Sequence, residues 1–242
     1  RSFSVNPFLR SIGGHSVKAF SDLEEVVANI EYITLLRDPR IRYVSHYFYY
    51  MSMIKSHIHF REYLKLDERF NFQNASLSTG NFREIPSAGP VDLERAKKLL
   101  TEKFLLVGVV EEFDEFLIQL RRLLQPERFD LGYSRQNVAR SEDRLGRESP
   151  SDILRKYHDE ISERNQLDLE LYEYVVSCLL PRQRMEYGDS LSADVNDFQQ
   201  TLGNSEPKML KSYIDYVVRH FYYDPLIGVQ RVWHGLPYLG PY

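Results

Sequence analysis

An α/β protein with a mainly parallel central sheet is the fold class this sequence predicts, and three observations predict it. Two continuous apolar runs, Tyr32–Ile33–Thr34–Leu35–Leu36 and Phe104 to Val110, lack the alternation of a half-exposed strand and fit strands covered on both faces. Each run is flanked by stretches with helical periodicity, and strands alternating with helices build parallel sheets. The first run passes straight into a helix start. Asp38 supplies an N-cap side chain, and Pro39 stands at the first helical position, where no N–H is needed. The part after the second strand is rich in helix.

The totals set outer limits. At 242 residues the chain suffices for one large domain, or for a domain with an appendage. A hydrophobic share of 43% and a charged share of 27% are ordinary for a soluble globular protein. The net charge of −4 offers no bulk attraction to nucleic acid or to an anionic membrane, so no nucleic-acid partner is expected. Tyr 17 and Phe 14 against a single Trp suit a packed core with hydroxyls at its edge, and also stacking on sugars or bases. Cys178 is the only cysteine, which excludes an intrachain disulfide and points to a reducing compartment. No apolar run approaches the ~20 residues of a membrane span, and no stretch of the sequence reads as a signal peptide.

Taken in order, the opening residues show no clear period and end in Gly13–Gly14, a tight turn that would present His15. Ser21–Asp22–Leu23–Glu24 is a capping box opening a helix to about Ile30. The first strand and its Asp38-capped helix follow; the helix is expected to run to about Leu66, largely buried from His46 to Phe60. Asn71 to Pro90 reads as a loop from its Asn, Ser, Thr, Gly and Pro content. Asp92 to Glu102 is an amphipathic helix with Leu93, Ala96, Leu99 and Leu100 inward. The second strand ends at Glu111–Glu112, and Phe113 to Leu124 forms another amphipathic helix. Pro126 to Pro150 is a charged, irregular loop. Ser151–Asp152 caps a helix to Ser162, and a further helix spans Asn165 to about Leu180, stopped by Pro181. Cys178, among Val175, Val176 and Leu179, is expected in the core. One more helix is expected over Met209 to Tyr223, before an irregular tail. Residues 1–187 thus form the main domain, and 188–242 a helical and irregular extension.

The strand–helix junction describes an anion pocket. Arg37 closes the strand at its carboxyl end, where open α/β sheets bind ligands. A helix N-terminus stands beside it, and Ser45 follows Asp38 by two helical turns and so shares its face. The plainer alternatives are an Arg37 paired with Asp38 or Glu111, and an ordinary helix serine. His57 and His59 fall on different helix faces, so no metal site is expected. Arg135, Asn137, Arg140, Arg144 and Arg147 suit an acidic glycan, although Glu142, Asp143 and Glu148 equally suit a solvated loop. Asn74–Ala75–Ser76 fits the N-glycosylation sequon, a pattern common by chance. The absence of G-x-x-x-x-G-K-[ST] argues against a nucleotide kinase.

Several blocks, in order, resemble the Golgi-type carbohydrate sulfotransferases, specifically the group of heparan sulfate 2-O-sulfotransferase and its bacterial relatives. Gly14–His15–Ser16–Val17 resembles the family's catalytic-histidine segment. Leu36–Arg37–Asp38–Pro39 to Arg42, with Ser45–His46–Tyr47–Phe48–Tyr49, resembles its R-D-P-x-x-R-x-x-S-x-Y-Y block. Asn71–Phe72–Gln73 with Leu77 and Gly80 resembles an N-x-Q-x-R-x-L-x-x-G loop, with Ala75 where that loop carries Arg. Phe104 to Glu112 resembles its F-x-L-V-G-V-T-E strand, and Asn165 to Tyr174 its N-x-L-D-x-E-L-Y-E-Y helix.

The resemblance implies a three-layer fold of the P-loop-kinase type and 3′-phosphoadenosine 5′-phosphosulfate (PAPS) as sulfuryl donor. Arg37 and Ser45 would hold the donor's 3′-phosphate, and His15 would be the general base. A hydroxyl, expected on a saccharide, attacks sulfur while the bond to the nucleotide phosphate breaks. A base near the working pH helps that attack by about 10²–10⁴-fold, and fixed donors meet the charge left on the phosphate. The family's Lys-bearing phosphosulfate loop lies well upstream of the histidine, and nothing before His15 resembles it. The main domain is therefore expected to be N-terminally incomplete, the alternative being a degenerate relative that binds nucleotide or glycan without transfer. A bacterial cytoplasm is the expected compartment; the Golgi lumen is the alternative, with any membrane anchor upstream. Nothing in the sequence sets the acceptor or the oligomeric state.

Overall fold

The computed structural model describes residues 19, 29–54, 58–66, 70–78, 90–124, 131, 133 and 148–203. All of them belong to one compact unit, Gly14–Gly203; a second unit, Arg1–Gly13 with Asn204–Tyr242, lies outside the described residues. The expected helix at 209–223, the one at 21–30 but for its last two residues, and nearly all of the 126–150 loop lie outside them too.

The described fold is mixed α/β, mostly helical around a small parallel sheet. Strand β1 (Tyr32–Leu36) leads into α1 (Pro39–Ile54), followed by α2 (Phe60–Leu66), α3 (Phe72–Ser78) and α4 (Pro90–Glu102). Strand β2 (Phe104–Val109) then runs through a 3-10 turn, Val110–Glu112, into α5 (Phe113–Leu124). The remainder is helical: α6 (Pro150–Lys156), α7 (His158–Arg164), α8 (Gln166–Tyr174), a π-helical turn Val175–Leu179, α9 (Leu180–Tyr187) and α10 (Leu191–Gly203). β1 and β2 pair in parallel, from Ile33 opposite Leu106 to Leu36 opposite Val109, so their carboxyl ends meet at one edge.

Helices cover both faces of this pair. On one, Leu36, Val107 and Val109 pack with Leu93, Ala96 and Leu100 of α4, Leu171 of α8, and Val175, Leu179 and Leu180. On the other, Leu106 meets Phe116 and Leu120 of α5. Gly108 permits that approach, because a Cβ there would lie 2.4 Å from the Phe116 ring. On the α5 side the cover reaches Leu35 of β1 but not Ile33. Ile33 is 45% exposed, so the expectation of a first strand buried on both faces does not hold. α5 sits over β2 rather than between the strands.

The helix after β1 is shorter than its composition suggested. α1 ends at Ile54 and α2 is separate, and the aromatic stretch is buried along one stripe only. Tyr43, Val44, Tyr47 and Met51 pack with Phe60, Tyr63, Ile153 and Ile161, whereas Tyr49 is 60% and Met53 57% exposed. Ser149, not Ser151, caps α6: its Oγ accepts from the Asp152 amide at 3.1 Å. Two helices, α6 and α7, stand where one was expected.

Pro181 does not end the helix before it. The preceding turn widens to a π-helix, which relieves the clash of a proline ring with the carbonyl four residues back, and α9 continues beyond. Val175 and Leu179 face the core across that turn, while Cys178 is exposed, contrary to its expected burial. α10 was not foreseen, although Leu191, Val195, Phe198 and Leu202 carry a helical spacing; they pack with Ile118 of α5. Among the described residues, no helix is long and apolar enough to cross a membrane.

Candidate functional site

The candidate site is the carboxyl edge of the strand pair, where β1 turns into α1 beside the end of β2. Asp38 caps α1 as its sequence predicts. Its Oδ1 accepts from the amides of Arg40 at 2.8 Å and Ile41 at 3.3 Å, and its carbonyl accepts from the Arg42 amide at 2.8 Å. The Arg40 side chain folds back on the same carboxylate, Nε to Oδ1 at 3.1 Å and Nη2 to Oδ2 at 2.5 Å. Burial pushes the Asp38 carboxyl upward, but the hydrogen bonds and charge of Arg40, with the Ile41 amide, outweigh it and leave its pKa below the ordinary value.

Glu111, from the turn after β2, closes the other side. Its Oε1 accepts from the Asp38 amide at 3.1 Å, and its Oε2 from the Tyr172 hydroxyl at 3.3 Å. Burial, and then the Glu111 charge, push the Tyr172 phenol well above its usual pKa, so it stays a donor. Arg40 Nη1 also stands 3.2 Å from His158 Nε2.

Arg37 is thereby left without either partner proposed for it. Asp38 is engaged by Arg40, and Glu111 by the Asp38 amide and Tyr172. Among the described residues the Arg37 guanidinium makes no hydrogen bond or ion pair, and the side chain is half-buried. Its backbone, by contrast, is held on both polar groups. Gln73 Oε1 accepts from the Arg37 amide at 2.8 Å, and Gln73 Nε2 donates to the Arg37 carbonyl at 2.9 Å. Ser45 lies exposed on α1.

One part of the expected pocket is already occupied. The free amides of the α1 N-terminus are satisfied by Asp38 and Glu111, so they are not open backbone N–H groups for an anion. His15, Arg135, Asn137 and Arg140 lie outside the described residues, as does His57. Among the described residues, no group of three or more His, Cys, Asp or Glu is placed to hold a metal ion.

The segment carrying Gln73 is a helix, α3, where composition suggested loop. Its caps come from far along the chain. Asp168 of α8 accepts from the Gln73 amide at 3.0 Å and the Asn74 amide at 2.7 Å. Asn71, in the left-handed region at φ 51°, returns the favour: its Oδ1 accepts from the Leu167 and Asp168 amides at 3.0 and 3.2 Å. Two short helices thus cap each other. Burial pushes the Asp168 carboxyl up, against the pull of the Arg42 charge and of the Asn74 and Gln73 amides. Asn74 is fully buried, so the sequon is closed to a glycan in the folded chain.

Comparison with models of known families, with curated proteins and with solved structures finds no match to this chain.

Gln73, Glu111, Tyr172 and Asp168 are the site residues that sequence reasoning did not assign. All four lie inside the quoted blocks. Their roles rest on pairings across the fold, for which spacing along the chain carries no signal.

Proposed function

We propose that this chain is a PAPS-dependent sulfotransferase that moves a sulfuryl group to a hydroxyl of a saccharide, on a nucleotide-binding fold of the P-loop-kinase type. The observation that carries the reading is the half-buried Arg37 guanidinium at the carboxyl end of β1. It makes no pair among the described residues, while both neighbouring carboxylates are engaged elsewhere. A cation fixed by its backbone and left unneutralised at a parallel-strand edge suits a phosphate, and the exposed Ser45 hydroxyl on α1 suits the same group. The parallel β1–β2 pair with helices on both faces supports the finer fold.

In this reading Arg37 and Ser45 hold the donor's 3′-phosphate, and the donor supplies the activated sulfuryl group. Asp38 and Arg40 set the start of α1, so that the arginine and the serine are carried by one rigid strand–helix unit. His15 takes the proton of the attacking hydroxyl. Arg135, Asn137 and Arg140 are the residues proposed to meet the acceptor. A chain with one cysteine, exposed at Cys178, suits a reducing compartment such as a bacterial cytoplasm.

Calorimetry with adenosine 3′,5′-bisphosphate tests the donor site. Arg37→Ala is expected to weaken binding by roughly ten- to a hundredfold, the size of lost charge-assisted hydrogen bonds; unchanged affinity would overturn the assignment. Transfer is tested separately. His15→Ala is expected to keep the nucleotide affinity while turnover from PAPS falls by about 10²–10⁴-fold. Full turnover in that variant would remove His15 from the mechanism.

A further inference from the structure

We infer that Gln73 is a positioning residue for Arg37: its side-chain amide fixes the backbone from which the guanidinium springs, and so sets preference for a nucleotide bearing a 3′-phosphate. The inference rests on the donor-site reading above and assigns it a component that touches no ligand.

The contact is of an unusual kind. An arginine side chain is long, and its aim depends on the φ and ψ of the residue that bears it. Arg37 lies just past the last residue of β1, where the ladder to β2 has ended at Leu36 opposite Val109. Its two backbone groups therefore need other partners. Gln73 supplies both with one planar amide, accepting from the N–H at 2.8 Å and donating to the C=O at 2.9 Å, as a neighbouring strand would. The strand is in effect lengthened by one residue, with the cation at its tip.

Gln73 is itself held from behind. Its own amide donates to Asp168 Oδ2 at 3.0 Å, the next amide donates to Oδ1 at 2.7 Å, and Asn71 ties the same turn to α8. The relay runs from α8 through the start of α3 to the end of β1. Nothing in it depends on the charge of Gln73, which is why a neutral amide with one donor and one acceptor fits the position.

A merely structural glutamine would affect every ligand alike, whereas a positioning residue acts only through what Arg37 binds. The measurement is the ratio of affinities for adenosine 3′,5′-bisphosphate and adenosine 5′-monophosphate, which differ by the 3′-phosphate, taken by calorimetry on the full chain. Gln73→Met keeps the volume and removes both hydrogen bonds. It is expected to lower that ratio by roughly tenfold or more, while the monophosphate affinity stays within about twofold. Gln73→Asn keeps the amide but withdraws it by a methylene and is read in the same way if the Met variant does not fold.

A wild-type chain that does not prefer the bisphosphate would refute the donor-site reading itself. A wild-type preference that survives in a folded Gln73 variant would overturn the positioning role alone. Equal loss of both affinities, or failure of both variants to fold, would make Gln73 a structural residue and overturn it as well.

Discussion

Asp38 shows how one side chain can serve local structure and local charge together. Its carboxylate caps α1 and neutralises Arg40, which frees Arg37 from the nearest carboxylate it might have paired with. The cap was legible because an Asp-Pro pair after an apolar run is a local signal; the pairing with Arg40 was not, since Arg37, next to it, and Arg40, two residues on, are both within reach along the chain. The Asp38 pKa is lowered in the fold, so its stabilisation is present above the unfolded carboxyl value of about 3.9 and is lost as the pH falls through the folded value. Asp168 has the opposite sign. Its pKa is raised by burial, so its contribution is largest in acid and declines as the pH rises past the unfolded value. Acid destabilisation at this edge should therefore trace to Asp38. Asp38→Asn, which keeps a capping oxygen but not the charge, is expected to lower stability at neutral pH by about 1 kcal/mol and to flatten the fall in stability below about pH 4. Urea unfolding across pH checks this, and an acid limb as steep as the wild type's would place the loss elsewhere.

At the scale of elements, what could be read was what is locally determined. β1, β2, α4 and α5 lie where apolar runs and amphipathic periods put them, because each carries its own pattern and its own cap or stop. α3 was hidden for the opposite reason. Asn71–Phe72–Gln73–Asn74 has loop composition, and its helix exists because Asp168, on α8, accepts the two amides that a local cap would otherwise take. The stretch from Asn165 to about Leu180 reads in sequence as one regular helix stopped by Pro181. The π-turn over Val175–Leu179 adds residues to one turn, which keeps Val175 and Leu179 inward, leaves Cys178 outward, and lets Pro181 enter without breaking the helix. A periodicity argument assumes a constant turn, and it fails where the turn changes. Arg37 and Ser45, the residues proposed for the donor, stand out as a spacing along one strand–helix unit, whereas Gln73, which holds the Arg37 backbone, does not.

At the scale of the whole described unit, the sheet is so small that its edges must be met by something other than strands. Glutamine amides do this twice: Gln73 at the end of β1, and Gln183 of α9 against β2. Gln183 Oε1 accepts from the Val107 amide at 3.0 Å, and its Nε2 donates to the Val107 carbonyl at 2.7 Å, both buried. Val107 sits opposite Thr34 in the ladder and packs its side chain between α4 and α9, so this contact ties the C-terminal helices to the sheet that carries the site. Removing it strands two backbone groups away from water, a penalty that packing around a substituted side chain does not repay. Gln183→Leu is expected to lower the unfolding free energy by at least about 2 kcal/mol, and Gln183→Glu, which at neutral pH sets a buried carboxylate oxygen against the Val107 carbonyl, by at least as much. Amide hydrogen exchange locates the effect: the Val107 N–H, protected in the wild type, should exchange markedly faster in Gln183→Leu than the amides of α5, which packs on the opposite face. Equal acceleration across both faces would mean that the substitution loosens the core in general, and that β2 does not depend on α9 for its outer edge.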